Sequence, residues 1–296
     1  MPPPSLLEWI ACGPWAEGVT ILFGFAWGAM LGSFLNVVVH RVPLGESVVV
    51  RRSRCPACGH AIRAADNVPV LGWLRLGGRC RDCQAPIAAD YALVEAGCGL
   101  VVAVLAATHL AAGGRWLPRL ADQFPHGIDR LLRGDWRLLV ACGLHAGAVL
   151  TIVAWSLLER RGWRASSRSL LVALMAMLLV IALVPAVGPT GLLLDGGDWP
   201  AGVEWRPALA ATAAGGLAGW LAGRACRSRA AGLGLPLAGS VLGWQSLTIV
   251  AVVTIIVDRA TSRGPWCAGI VLAVLTAAVL AFPAPLGEIL TAGARR

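Results

Sequence analysis

Apolar residues in this chain come in long, nearly charge-free runs separated by short arginine-rich stretches. The runs cover approximately Val19–Val39, Tyr91–Ala112, Leu138–Leu158, Ser169–Val187, Pro207–Gly223, Leu235–Val257 and Trp266–Phe282. At ~1.5 Å per residue, about 20 residues cross the ~30 Å apolar core of a bilayer. The pattern therefore predicts about seven transmembrane helices and an all-α, polytopic membrane fold. It divides the chain into an amino-terminal segment with the first helix (1–40), a polar loop domain (41–90) and a multi-helix region (91–296). The Gly- and Pro-rich connection from Pro185 to Pro207 reads as an exposed loop. No fixed-period repeat is visible, which removes a solenoid.

Composition strengthens the membrane reading. Mean hydropathy is +0.71, with 57% hydrophobic and 14% charged residues, against about 25% charged in soluble domains. The net charge of +9 comes entirely from arginine, for the chain has no lysine. In a membrane protein such an excess marks cytoplasmic loops, so the bilayer is the expected partner and nucleic acid is not. Met1–Gly18 carries Glu8 and Glu17 and no basic start, so no secretory signal is read there. With the amino terminus outside, the loop 41–90, the Arg160–Arg168 and Arg224–Arg229 connections and the Arg295–Arg296 tail all fall on the cytoplasmic side. Asp195, Asp198 and Glu204 fall on the other, and Asp135 and Asp258 flank runs there. The segment 113–137 goes against the rule, because Arg115, Arg119, Arg130, Arg133 and Arg137 would lie outside, partly balanced by Asp122, Asp129 and Asp135.

The polar loop holds the strongest local signal. Cys55-Pro56-Ala57-Cys58 and Cys80-Arg81-Asp82-Cys83 are two CxxC knuckles, which is how four thiolates converge tetrahedrally on zinc. A disulfide framework is the alternative, but an arginine-rich cytoplasmic loop favours reduced thiols and metal. A closed four-thiolate site leaves no position for water, so its role is structural. Cys98, Cys142, Cys226 and Cys267 lie in or beside apolar runs as packing residues, and Cys12 stands alone. Asn36, at a membrane edge, reads as a hydrogen-bonding residue.

Taken in order, Gly32-Ser33-Phe34-Leu35-Asn36-Val37-Val38-Val39-His40-Arg41-Val42-Pro43, CPACG, DNVPVLGW, GRCRDC and Tyr91-Ala92-Leu93-Val94-Glu95 make the chain resemble the bacterial type IV prepilin leader peptidases over about residues 28–98. The corresponding family strings read approximately GSFLNVVIYRLP, CPxCGxxI, DNIPVLSW, GRCRxC and RYPLVE. Asp90 and Ala92 depart from the last. The resemblance implies a multi-pass enzyme of the bacterial inner membrane with its zinc loop in the cytoplasm. Such an enzyme cleaves leaders from prepilins and methylates the new amino terminus from S-adenosylmethionine. It also implies prepilin-like helices and pilus or secretion components as partners.

Peptidase chemistry in that family resembles intramembrane aspartic proteolysis, in which two carboxylates share a proton so that one activates water and the other protonates the leaving group. One belongs to a motif like IDxDHxxLPD, the other to GxGDxK. Anchored on Leu150-Thr151-Ile152-Val153, the first motif falls on Ala154, Trp155, Ser156 and Leu157. Anchored on Leu242-Gly243-Trp244-Gln245, the second falls on Ser228, Arg229, Ala230 and Ala231. A short deletion would instead supply the glycines from Gly232-Leu233-Gly234 and put Leu235 in the aspartate's place. Ala154 and Ala231 thus occupy the family aspartate positions, and no catalytic residue is expected. Asp195 and Asp198 read as a solvated turn, Asp135 and Asp258 as interface markers, and Glu159 as a charged cap. The expectation is a family member that no longer cleaves leaders. An active peptidase or methyltransferase with displaced acids, and a non-enzymatic pilus or secretion assembly factor, stand as alternatives.

Overall fold

The computed structural model describes residues 14–50, 53–112, 131, 134–163, 166–184, 205–260 and 266–281. In chain order its helices are α1 (Pro14–Arg41), α2 (Leu71–Arg75), α3 (Ala89–Ala106), α4 (Arg137–Arg160), α5 (Ser167–Leu183), α6 (Trp205–Gly223), α7 (Arg229–Ala260) and α8 (Trp266–Ala281). A π-helical turn, Ala107–Ala111, continues α3. Where it is described, each apolar run falls largely in one of these helices, and the polar loop holds α2 and two 3-10 turns, Val42–Leu44 and Ala64–Asp66. Among the described residues the extended contacts are two isolated antiparallel pairs, Arg54 with Ala61 and Arg79 with Pro86. The fold is all-helical. The stretches Arg115–Arg130, Asp195–Glu204 and Arg295–Arg296, and Cys12, lie outside the described residues.

Among the described residues three helical segments are long and apolar enough to cross a membrane: Trp15–Leu44, Ala89–Ala111 and Arg137–Arg160, with mean hydropathies of 1.8, 1.9 and 2.0. Ser167–Leu183, Leu209–Gly223 and Cys267–Leu280 are shorter apolar helices. The chain divides into two compact units, one of Val19–Val104 and one of Leu105–Arg296 with Met1–Gly18.

In the first unit α1 and α3 run antiparallel. Gly28 lies against Cys98, Gly99 and Val102, Gly32 lies against Val94, Glu95 and Cys98, and Asn36 donates its side-chain amide to the Tyr91 carbonyl at 3.0 Å. Gly28 and Gly32 are four residues apart, so both present a bare backbone to the same neighbour. A Cβ at Gly32 would stand 2.9 Å from the Glu95 Cα, and this is the small-residue contact by which helices approach in lipid, where apolar burial alone gives no drive. Val19, Leu22, Phe23, Trp27 and Phe34 are exposed on α1. In a bilayer these side chains meet acyl chains rather than water.

The second unit is built on α6, α7 and α8 around α4. Gly216, Gly219 and Gly223 of α6 pack on Pro236 and Ser240, on Leu235 and on Gly232 of α7, stepping in opposite directions along the two helices. The helical run of α7 is 32 residues long, which if straight would span on the order of 48 Å. Yet the Asp258 carboxylate near its end accepts the backbone N–H groups of Arg227 and Ser228, just before its start. The run therefore doubles back. The reversal falls between Gly239 and Leu247, because a Cβ at Gly239 would stand 2.8 Å from the Leu247 Cδ2, whereas residues eight apart on a straight helix are separated by about 12 Å.

This corrects two expectations. Leu235–Val257 is not one straight crossing, and Asp258 does not flank the side opposite the Arg224–Arg229 connection but is bonded to it. Hydropathy counts apolar residues and cannot register a change of direction.

Candidate metal centre and the carboxylate seam

The two knuckles are built alike. In the first, Cys55 N–H donates to the His60 carbonyl at 2.9 Å and Gly59 N–H returns to the Cys55 carbonyl at 2.9 Å. In the second, Cys80 N–H donates to Ala85 at 2.8 Å and Gln84 N–H returns to Cys80 at 3.0 Å. The residue after each second cysteine must turn left-handed to close the loop, and Gly59 (φ +74°) and Gln84 (φ +59°) both do. Glycine adopts this freely; Gln84 does so while its side-chain amide reaches the Arg81 carbonyl at 3.3 Å.

Together the knuckles bring all four sulfurs of Cys55, Cys58, Cys80 and Cys83 within 4.8 Å of one another, with Cys55 and Cys83 Sγ 3.8 Å apart. A tetrahedron of ~2.3 Å zinc–sulfur bonds has edges of about 3.8 Å. The donor set and its dimensions thus fit one tetrahedral thiophilic ion. Backbone N–H groups of Cys58, then Ala57, point at the Cys55 sulfur and lower its pKa to about 6. The His60 N–H draws the Cys58 thiol down, but desolvation and the proton shared with Cys83, Cys55 and Cys80 push it up to about 12. Four thiols this close cannot all ionise without a cation, and one already favours the thiolate a metal needs.

The loop around the knuckles is wired by residues from the motif strings. Asp66, its side chain 4% exposed, accepts Arg81 Nε at 2.7 Å, Arg81 Nη2 at 2.6 Å and Arg75 Nη2 at 2.7 Å. The Arg81 and then the Arg75 guanidinium hold its carboxyl well below the usual carboxylate range. Gly72 packs directly on the Asp66 carbonyl, and Trp73 Nε1 donates to the Ile87 carbonyl at 3.0 Å. Pro69-Val70-Leu71 is a tight turn in which Val70 has φ +62° and Leu71 N–H donates to Pro69. For a β-branched residue this backbone is strained. It is anchored by the Val70 N–H donating to the Glu95 carboxylate of α3 at 2.7 Å. Sequence reasoning quoted Asp66 and Glu95 only as letters of a motif; their proximity to arginines and to a proline turn was the signal available.

In the second unit, α4 meets α7 and α8 along a seam. Ile152 lies against Gly234, and Gly269 of α8 lies against both Ser156 and Ala230. Of Ala154–Leu157, Ser156 is the residue on this face; it is fully buried and donates its hydroxyl to the Ile152 carbonyl at 2.7 Å. Ala231 is buried, its N–H donating to Ser228 Oγ at 3.0 Å.

The seam ends in two carboxylates. Glu159 accepts Ser228 Oγ at 2.8 Å, Arg229 N–H at 2.8 Å and Ala230 N–H at 3.1 Å. Asp258 accepts Arg227 N–H and, at 3.0 Å, Ser228 N–H. These are the orphan donors that open any helix, and negative charge there also suits its dipole. Glu159 was read from sequence as a cap, and it caps α7 rather than its own helix. Asp135 pairs with Arg137 at 2.8 Å. Sequence reasoning missed one buried pair altogether: His109 Nε2 and His145 Nδ1 lie 2.8 Å apart, bridging the π turn and α4, with Thr108 Oγ1 3.0 Å from His109 Nδ1.

Comparison with known proteins agrees with this division. Residues 26–109 match the family described as Bacterial Peptidase A24 N-terminal domain. A prepilin leader peptidase/N-methyltransferase of Myxococcus xanthus (strain DK1622) is 52% identical over 80 residues, covering 27% of this chain and 24% of that protein. One from Burkholderia pseudomallei (strain 1026b) is 40% identical over 124 residues, covering 31% and 40%. A type 4 prepilin-like proteins leader peptide-processing enzyme of Escherichia coli O78:H11 is 38% identical over 140 residues, covering 34% and 51%. The match thus spans about half or less of each relative's length. No solved structure gives a significant match. The knuckles, the Asp66 latch and the Asn36–Tyr91 and Val70–Glu95 bonds all lie inside residues 26–109, the stretch that is similar to the Bacterial Peptidase A24 N-terminal domain.

Proposed function

We propose that this chain is a zinc-binding inner-membrane protein of the prepilin peptidase family that has given up leader cleavage. The observation that carries the reading is the α4–α7 seam. Counting from the anchors puts the motif positions at Ala154 and Ala231, and the side chains that meet Gly269 of α8 at the seam, Ser156 and Ala230, carry no ionisable group. The two nearest carboxylates, Glu159 and Asp258, have their oxygens committed to the start of α7. An aspartic mechanism needs two acids that face one water and hold one proton between them. Glu159 and Asp258, which accept three and two N–H or O–H donors, face the start of α7 instead. Cys55, Cys58, Cys80 and Cys83 would hold the zinc, whose contribution when bound is to cross-link the two knuckles and fix the cytoplasmic loop.

S-adenosylmethionine does not fit the hollow beside α2. That hollow is lined by Ala65, Val68, Leu71, Leu74 and Arg75; it offers no acid to the ribose hydroxyls and an arginine to a cationic sulfonium. The test is a prepilin-cleavage assay with the full chain in membranes: no leader removal is expected, and robust removal by the purified chain would overturn the proposal.

A further inference from the structure

We propose that the loop between α1 and α3 lies on the anionic face of its own membrane, with Val68, Leu71 and Leu74 dipping into the headgroup–acyl boundary. The argument begins with depth. Glu95 is the seventh residue of α3, about 9 Å along the axis from Ala89, and its carboxylate holds the Val70 N–H at 2.7 Å. The strained turn at Val70 is therefore pinned beside the second turn of a spanning helix, not out in solvent. From it α2 starts with Leu71, which is 63% exposed, and continues to Leu74, 59% exposed. With Val68 and Ala65 they wall a hollow of about 530 Å³ that nothing in the first unit covers. Leu93, two residues before Glu95 and on the other side of α3, is 67% exposed, so the turn sits at a level where α3 already exposes apolar side chains.

Charge selects the kind of membrane. Between residues 53 and 88 the chain has five arginines, Arg54, Arg63, Arg75, Arg79 and Arg81, and two aspartates, Asp66 and Asp82. Arg75 lines the hollow itself, with its side chain 52% exposed while paired to Asp66. Apolar side chains flanked by arginines whose heads stay in water are the chemistry of an interfacial anchor. Anionic phospholipid adds attraction for each basic residue near the surface. The turn is held at a positive φ where glycine would be free of strain, and the strain is offset by what it presents, Leu71 at the level of the bilayer edge.

The experiment places p-benzoylphenylalanine at Leu71, at Leu74 and, as a control, at exposed Ala57 on the first knuckle. The full chain is reconstituted in nanodiscs of phosphatidylcholine with or without phosphatidylglycerol, irradiated and analysed by mass spectrometry. Phospholipid adducts are expected at 71 and 74 well above those at 57, with yields rising when phosphatidylglycerol is present. Arg63→Gln should lower that rise by about fivefold, the factor for one surface arginine at an anionic membrane. Metal content reports folding of each variant, and the Leu74 variant carries the test if the Leu71 variant loses metal. The proposal is overturned if the yield at Leu71 is no greater than at Ala57, if phosphatidylglycerol makes no difference, or if the adducts are to a second copy of the chain or an added pilin-like peptide instead of lipid.

Discussion

The loop between α1 and α3 and the seam between α4 and α7 use the same kind of group for different ends. In the loop, Asp66 and Glu95 are carboxylates that tie motif to motif, and the strings that contain them still resemble the family closely. At the seam, Glu159 and Asp258 also tie chain to chain, but they do so outside the stretch that matches the family. A structural carboxylate is recognisable by the donors that surround it; a catalytic one must keep a face for substrate. All four acids accept donors of the chain itself, and what separates the regions is that the loop lies within residues 26–109, which match the Bacterial Peptidase A24 N-terminal domain, whereas the seam lies outside them.

That contrast breaks most sharply at the metal. Changing Cys55 and Cys58 together to Ser should remove the expected one zinc per chain by elemental analysis and unfold the loop, because metal binding at such sites is worth on the order of 10 kcal/mol in zinc-finger peptides. A loop that keeps its fold in strong chelator would overturn the metal assignment. At the seam, Glu159→Ala should cost about 3 kcal/mol in thermal or denaturant unfolding in detergent, since it leaves two N–H donors and a hydroxyl at the α7 start without their charged acceptor. Glu159→Gln, which still accepts, should cost clearly less. If neither moves stability, Glu159 is not a cap and the case for a displaced acid reopens.

Gly28→Val tests the helix contact in the first unit and should destabilise it by about 1–3 kcal/mol, the usual cost of overpacking, read as loss of folded protein in detergent. The Asp66 latch is expected to be nearly flat with pH. A carboxyl depressed in the folded state stabilises above its unfolded pKa of about 3.9 and is lost only as pH falls through the lower folded value. Proteolytic resistance of the loop should therefore be unchanged between about pH 8 and pH 5 and fall in Asp66→Asn at every pH. The smallest effect is expected from Gln84→Gly, which relieves a left-handed side chain and should stabilise the apo loop by no more than about 1 kcal/mol; a loss would mean that the bond to the Arg81 carbonyl matters more than the backbone.

The knuckles could be read in advance because their information is local: two cysteines three apart close one turn, and Gly59 marks where it must go left-handed. The helices were legible for a related reason, since every apolar run from Val19 to Phe282 folds as helix where it is described. Glu159 and Ser228 are 69 positions apart, Asp258 and Arg227 31, and His109 and His145 36. No spacing rule reaches that far, and in the runs themselves these residues look like isolated polar exceptions. The assignment of Ala154 to the first aspartate was a matter of counting from an anchor, while the structure turns Ser156, two residues on, toward the partner helices.

The doubled-back course of α7 changes the parity of the chain. A hydropathy count assigns that run one passage through the bilayer, so everything after it changes sides. Because Asp258 returns to Arg227, the run ends where it began, and α8, whose Gly269 lies by Ser156 and Ala230, sets out from the arginine-rich side instead of arriving there. An even passage in place of an odd one inverts the orientation of the last helix. A reporter fused after Ala281 would emerge on the face opposite to the one that charge counting assigns.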